Sequence, residues 1–181
     1  MLPPEFKDSL ARTQLFLLGV WAVLLASCVI AALLPNKLFS HAPPVGDDYP
    51  YLEWLDEFLW ALAIGTALLL VWIRQRFYSV EAIFEASGRP REVPVFGESA
   101  SEQSASRVVY FYRSKMLYAL ALAGSVAVYG LFLALIEPGE YQWRLFCATA
   151  AALLVLFYPS RTFFEELIKE YERRETMREW R

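Results

Sequence analysis

Residues 15–34 read LFLLGVWAVLLASCVIAALL, twenty consecutive positions without a charged side chain. At 1.5 Å rise per residue, a helix of that length measures about 30 Å, the thickness of the hydrocarbon core of a bilayer. A surface helix of a soluble protein spaces its apolar residues at i, i+3, i+4 and i+7 instead of running them together. This stretch makes the chain a membrane protein, and three similar blocks follow it.

The second block runs from about Trp54 to Ile73, with Asp56 and Glu57 near its start and Arg74 and Arg76 just past its end, where the headgroups can hold them. The third, Met116 to Ile136, is closed by Glu137, Pro138 and Gly139, a turn with a helix breaker. The fourth, Trp143 to Tyr158, is short for a full crossing. Pairing with the third span in a hairpin, with local thinning of the bilayer or snorkelling of flanking side chains, accommodates it. Hydrophobic residues make up 57% of the chain, above the roughly 45–50% of soluble proteins, and the excess is concentrated in these four blocks. The predicted fold is all-α: one integral membrane domain over residues 1–181, a four-helix bundle of two helical hairpins with cytoplasmic juxtamembrane helices.

Orientation follows from the lysines and arginines, which resist translocation when they lie near the ends of spans. Fifteen of the seventeen fall in the amino-terminal segment, the loop between the second and third spans, or the tail. Only Lys37 and Arg144 lie in the other two loops, which carry Asp47, Asp48, Glu53, Asp56, Glu57, Glu137 and Glu140. Both termini and the middle loop are therefore expected in the cytoplasm, most simply on the inner face of a bacterial cytoplasmic membrane. Trp54, Trp60, Tyr141 and Trp143 at the outer ends, with Trp72, Tyr112 and Tyr158 at the inner ends, supply the interfacial aromatics. A net charge of −3 provides no basic footprint for nucleic acid.

Helices in lipid associate through small residues that let backbones approach. Small residues recur four apart in all four spans: Ala22 and Ala26; Ala61 and Gly65; Ala119, Ala123 and Ala127; Ala148 and Ala152. The third span, with Ala119, Ala123 and Ala127, is the expected site of closest packing. No charged residue or histidine lies deep in a span; the polar side chains there are Ser27, Thr66, Ser125, Thr149 and two cysteines, each able to bond its own helix. This excludes a bis-histidine haem and disfavours an ion-coupled transporter, both of which need such groups at depth. No cofactor and no metal are expected. Cys28 and Cys147 read as buried thiols in the outer halves of their spans. Leu25, Ala26, Ser27 and Cys28 also match a bacterial lipobox in kind, against which stand the apolar residues that continue to Pro35 and the acidic Glu5 and Asp8 near the start.

Outside the spans, the outer loop from Pro35 to Glu53 gathers His41, Asp47 and Asp48 at a spacing that fits no metal motif. The second helix is expected to continue past Arg76 through Tyr78, Val80, Ile83 and Phe84 to a stop at Gly88. Residues 87–106, rich in Ser, Glu, Pro and Gly, read as a flexible cytoplasmic linker. Thr162 with Glu165 forms a capping-box pattern that opens an amphipathic cytoplasmic helix over residues 162–180. Its apolar stripe is Phe163, Phe164, Leu167, Ile168 and Tyr171, which needs a cover: the bilayer surface, the helix after the second span, or a partner. Arg76, Glu81, Ile83 and Glu85 match Arg161, Glu166, Ile168 and Glu170 at a constant offset of 85, which is consistent with a duplicated hairpin.

The sequence contains no nucleophile with a base, no phosphate-binding glycine loop and no metal-ligand spacing, so an enzyme is not expected. The function predicted is that of a non-enzymatic accessory, assembly or immunity-type membrane protein, embedded in lipid and binding a protein partner or itself. The stripe of the tail helix is its contact surface. The alternative is a homo-oligomeric channel or membrane-perturbing effector.

Overall fold

The computed structural model describes residues 4–33, 51–87, 100–136 and 142–179. They form α1 (Pro4–Leu33), α2 (Tyr51–Phe77), α3 (Val80–Ser87), α4 (Ala100–Ile136), α5 (Gln142–Leu156) and α6 (Arg161–Glu179), with no strand among the described residues. Four stretches are long and apolar enough to cross a membrane: Lys7–Leu33, Trp54–Arg76, Ser106–Ala134 and Gln142–Arg174. The chain is thus an all-helical, multi-pass membrane protein. The last stretch contains the break between α5 and α6, so its apolar part is α5, fifteen residues and about 22 Å long.

The helices outrun their apolar runs. α1 opens at Pro4, a proline at the first helical position, where its missing N–H costs nothing. α4 opens at Ala100, inside the stretch that composition assigns to a linker. Glu102, Gln103 and Ala105 are good helix formers, and a long apolar helix downstream nucleates them. Residues 88–99 of that stretch, and His41, Asp47 and Asp48, lie outside the described residues.

The expected continuation of the second helix does not occur: the chain breaks at Tyr78 and Ser79. The Ser79 hydroxyl accepts from the Ala82 amide at 3.1 Å, an N-cap that restarts the helix as α3. The tail helix is opened the same way by Ser160, whose Oγ accepts from the Phe163 amide at 3.3 Å. The cap is therefore Ser160 and not Thr162. Pro159 forces the break just before it, and Thr162 falls in the first turn with its hydroxyl 3.2 Å from Ser160 Oγ.

Two compact units divide the chain. The first comprises Met1–Val20, Ile73–Tyr118 and Tyr158–Arg181, and the second Trp21–Trp72 and Ala119–Phe157. In the second unit the buried positions include Cys28, Leu59, Ala63, Thr66, Leu70, Ala119, Leu120, Ala123, Val126, Phe146, Cys147, Ala150 and Leu154. Val23, Ile30, Ile64, Leu68, Val128, Leu145 and Val155 are exposed, an apolar exterior on every span that suits lipid and not water.

Particular contacts hold this unit together. α5 is short, and its last carbonyls have no helical partner. The Trp21 indole of α1 donates to one of them, Leu154 O, at 2.7 Å, while the Phe157 amide donates to the same oxygen at 3.1 Å. Trp60 of α2 donates to Gln142 Oε1 at 3.1 Å and lies on Phe146, ring centres 4.4 Å apart. At Gly130 α4 meets α5 so closely that a Cβ would stand 2.5 Å from Phe146 Cβ and 2.8 Å from Trp143 O.

In the first unit α3 packs on α6. Leu10 and Leu17 of α1, Ile83 and Phe84 of α3, Val108, Tyr112 and Met116 of α4, and Phe164, Leu167 and Tyr171 of α6 are buried there.

Candidate functional site

The sequence singles out the α6 stripe, and the first unit shows what lies against it. Phe163 stacks on Tyr112 at 5.5 Å and meets Tyr78 at 6.4 Å; Phe164 sets its edge to Tyr112 at 4.9 Å. Tyr171 faces Phe84 at 6.3 Å. Phe164, Leu167 and Tyr171 are buried, while Phe163 and Ile168 are half-buried. The stripe is covered by the chain's own α3 and α4, so it is a seam and not an open docking face. Burial pushes the Tyr78 phenol above its ordinary range, with Tyr112 adding to the shift, and it remains a neutral donor whose hydroxyl points to the Met116 sulfur.

A polar clasp closes the far end of the seam. Glu170 accepts from Arg173 at 2.9 Å and from Arg174 at 2.7 Å, and Arg174 lies over the Phe84 ring of α3 at 4.5 Å. The hydrogen bonds from Arg173 and Arg174 hold the Glu170 carboxyl below its usual range. The opposite face of α6 carries Glu165, Glu166, Lys169, Glu172 and Arg173, all exposed, with Glu165 paired to Arg161 at 3.1 Å.

The two segments that match at an offset of 85 are unlike in burial: Ile83 is buried and Ile168 is half-buried, on helices of eight and nineteen residues.

In the second unit Ala119, Ala123 and Ala127 are buried, whereas Ala22, Ala26, Ala61, Gly65, Ala148 and Ala152 are exposed. Spacing four apart marks a face of a helix without saying which face is inward. Gly130, where α4 comes close to α5, also has a small residue four positions on, the buried Ala134, so the same spacing extends to a contact that was not among the pairs singled out. Ser27 and Ser125 bond their own helices, to Val23 O and Leu122 O, both at 2.8 Å. Cys28 and Cys147 are buried free thiols, and α1 runs unbroken through Cys28.

A groove of about 300 Å³ lies between α2, α4 and α5, walled by Trp60, Ala63, Ala67, Leu68, Val126 and Phe146, with Thr149 contributing the hydroxyl. A lining of this kind suits hydrocarbon, not a charged solute. Among the described residues no three His, Cys, Asp or Glu side chains converge where a metal could sit. No family model matches the chain, and no curated protein or solved structure is significantly similar to it.

Proposed function

We propose that the chain is a non-enzymatic accessory or assembly protein of a membrane complex. In this reading it is a four-helix bundle of two hairpins in a bacterial cytoplasmic membrane, with both termini inside the cell. The observation that carries the reading is the seam between α3 and α6. Two helices that leave the membrane are held together by Phe84 of α3 against Tyr171 and Arg174 of α6, with Glu170 fixing Arg174 and Tyr112 of α4 backing Phe164.

An isolated juxtamembrane helix would gain little from such ordering. A rigid platform gains much when it binds, because its conformational entropy is already lost before the partner arrives. The residues assigned to the partner are accordingly the exposed charges of α6, Glu166, Lys169 and Glu172, and the apolar stripe acts by holding them in place. Mixed charge of both signs fits a protein surface better than anionic lipid.

Affinity capture at natural expression level, with crosslinking, tests the proposal. A stoichiometric partner should be lost from Glu166→Lys/Lys169→Glu and kept by Asp8→Asn. A homogeneous self-assembly with nothing else attached, unaffected by that pair, would sink it.

A further inference from the structure

We propose that Arg113 of α4, which lies over Phe16, and Arg12, one turn before Phe16 on α1, form a binding site for the phosphate of an anionic phospholipid. This rests on the chain being embedded in a membrane and not on the accessory reading.

The guanidinium of Arg113 lies over the Phe16 ring, 4.5 Å from its centre. Arg12 precedes Phe16 by four residues on α1, so it projects from the same face one turn away. One cation thus lies over the ring, and the other is one helical turn from the ring on α1. Arg12 and Arg113 are both exposed, and no ion pair engages either among the described residues. Asp8 lies a further turn along α1, away from the apolar run, and is not joined to Arg12.

The level of the site is that of a headgroup. The apolar runs of the two helices begin at Leu15 and Met116, and the contact between Phe16 and Arg113 sets those starts side by side, as a single bilayer edge requires. Above the arginines, Leu15 is 71% and Phe16 44% exposed, an apolar wall along which an acyl chain can lie. Below, Tyr110 precedes Arg113 by three residues, is 40% exposed, and offers a hydroxyl donor.

A phospholipid presents these groups in the same order: hydrocarbon, then a phosphate, then water. Guanidinium is suited to the phosphate because it donates two parallel hydrogen bonds, and the aromatic contact restricts the motion of one of the two forks beforehand. A soluble phosphate shares the charge chemistry but makes no use of Leu15 and Phe16.

Native mass spectrometry of the full chain in mild detergent, titrated with phosphatidylglycerol and with phosphatidylcholine, tests the site. Phosphatidylglycerol should be retained in preference. Arg12→Gln/Arg113→Gln should weaken its binding roughly thirtyfold, at about one interfacial charge's worth per arginine, and leave phosphatidylcholine and the thermal midpoint unchanged. Lys169→Gln should change nothing. If the double variant does not fold, Arg12→Gln alone should weaken binding about fivefold. Undiminished phosphatidylglycerol binding in a folded variant, or equal retention of the two lipids, would overturn the proposal. Displacement of the lipid by equimolar inorganic phosphate would also overturn it, by reassigning the arginines to a soluble anion.

Discussion

At the scale of single residues, the decisive feature of the second unit is the missing side chain at Gly130. Phe146 Cβ and Trp143 O occupy the space a methyl group would need, and neither is the free end of a flexible chain. Gly130→Ala should therefore push α4 off α5 and lower the thermal midpoint, at a cost of about 1–3 kcal/mol. Gly19→Ala and Gly65→Ala, where a Cβ meets nothing within 4 Å, should leave it unchanged or slightly raised. Equal midpoints for all three would remove the close approach.

Glu170 is the other residue with a readable consequence. Its folded carboxyl titrates below the ordinary value of 4.5. Its contribution is thus fully present above that value and is lost as the pH falls through the lower, folded one. The acid limb of stability should be shallower in Glu170→Gln than in the native chain, with the two curves running parallel from pH 5 to pH 8. Identical acid limbs would show that the clasp adds nothing.

At the scale of elements, α6 is a helix whose apolar face is satisfied within the chain. Leu167 has no exposed surface, and Leu167→Ala should cost about 2–5 kcal/mol through lost burial and the cavity left behind. Lys169→Ala, on the exposed face, should cost less than about 0.5 kcal/mol. Hydrogen exchange should show the loss as faster exchange in both α3 and α6, since each covers the other; acceleration confined to α6 would contradict the shared seam. The stripe was legible as a stripe from Phe163, Phe164, Leu167, Ile168 and Tyr171. Its cover was not, because Tyr112 and Phe84 lie 51 and 87 residues before the Phe163 and Tyr171 that they meet, and no local pattern pairs them. Short breaks are similarly obscure: Ser79 looks like one polar residue inside an amphipathic run until its hydroxyl is seen capping Ala82.

For the whole molecule, the distribution of basic residues predicts that the first and last segments share a side. Single cysteines at Asp8→Cys and Lys169→Cys, in a chain carrying Cys28→Ala and Cys147→Ala, should react with an impermeant maleimide only after the inner face is opened. Gly46→Cys should react from outside in intact cells. Opposite accessibility of positions 8 and 169 would mean that α5 does not cross, and would place α6 on the outer side, away from any cytoplasmic partner. The short α5 is where this topology is most exposed to refutation. Its length is made workable by Trp21, which supplies a donor to Leu154 O where the helix itself supplies none beyond Phe157.

By itself the sequence determined that this is a membrane protein with four apolar helices. Transfer of a helix into hydrocarbon is summed over neighbouring residues, so uncharged runs such as residues 15–34 declare themselves without reference to the rest of the chain. The tertiary structure alone decided which face of each helix is inward. It buried Ala119, Ala123 and Ala127 but exposed Ala148 and Ala152, brought Gly130 against Phe146, and turned the α6 stripe into a seam. In lipid an apolar side chain is nearly as well solvated outside the protein as inside. Hydropathy therefore carries no signal for the inward face, and only the fit between distant side chains chooses it.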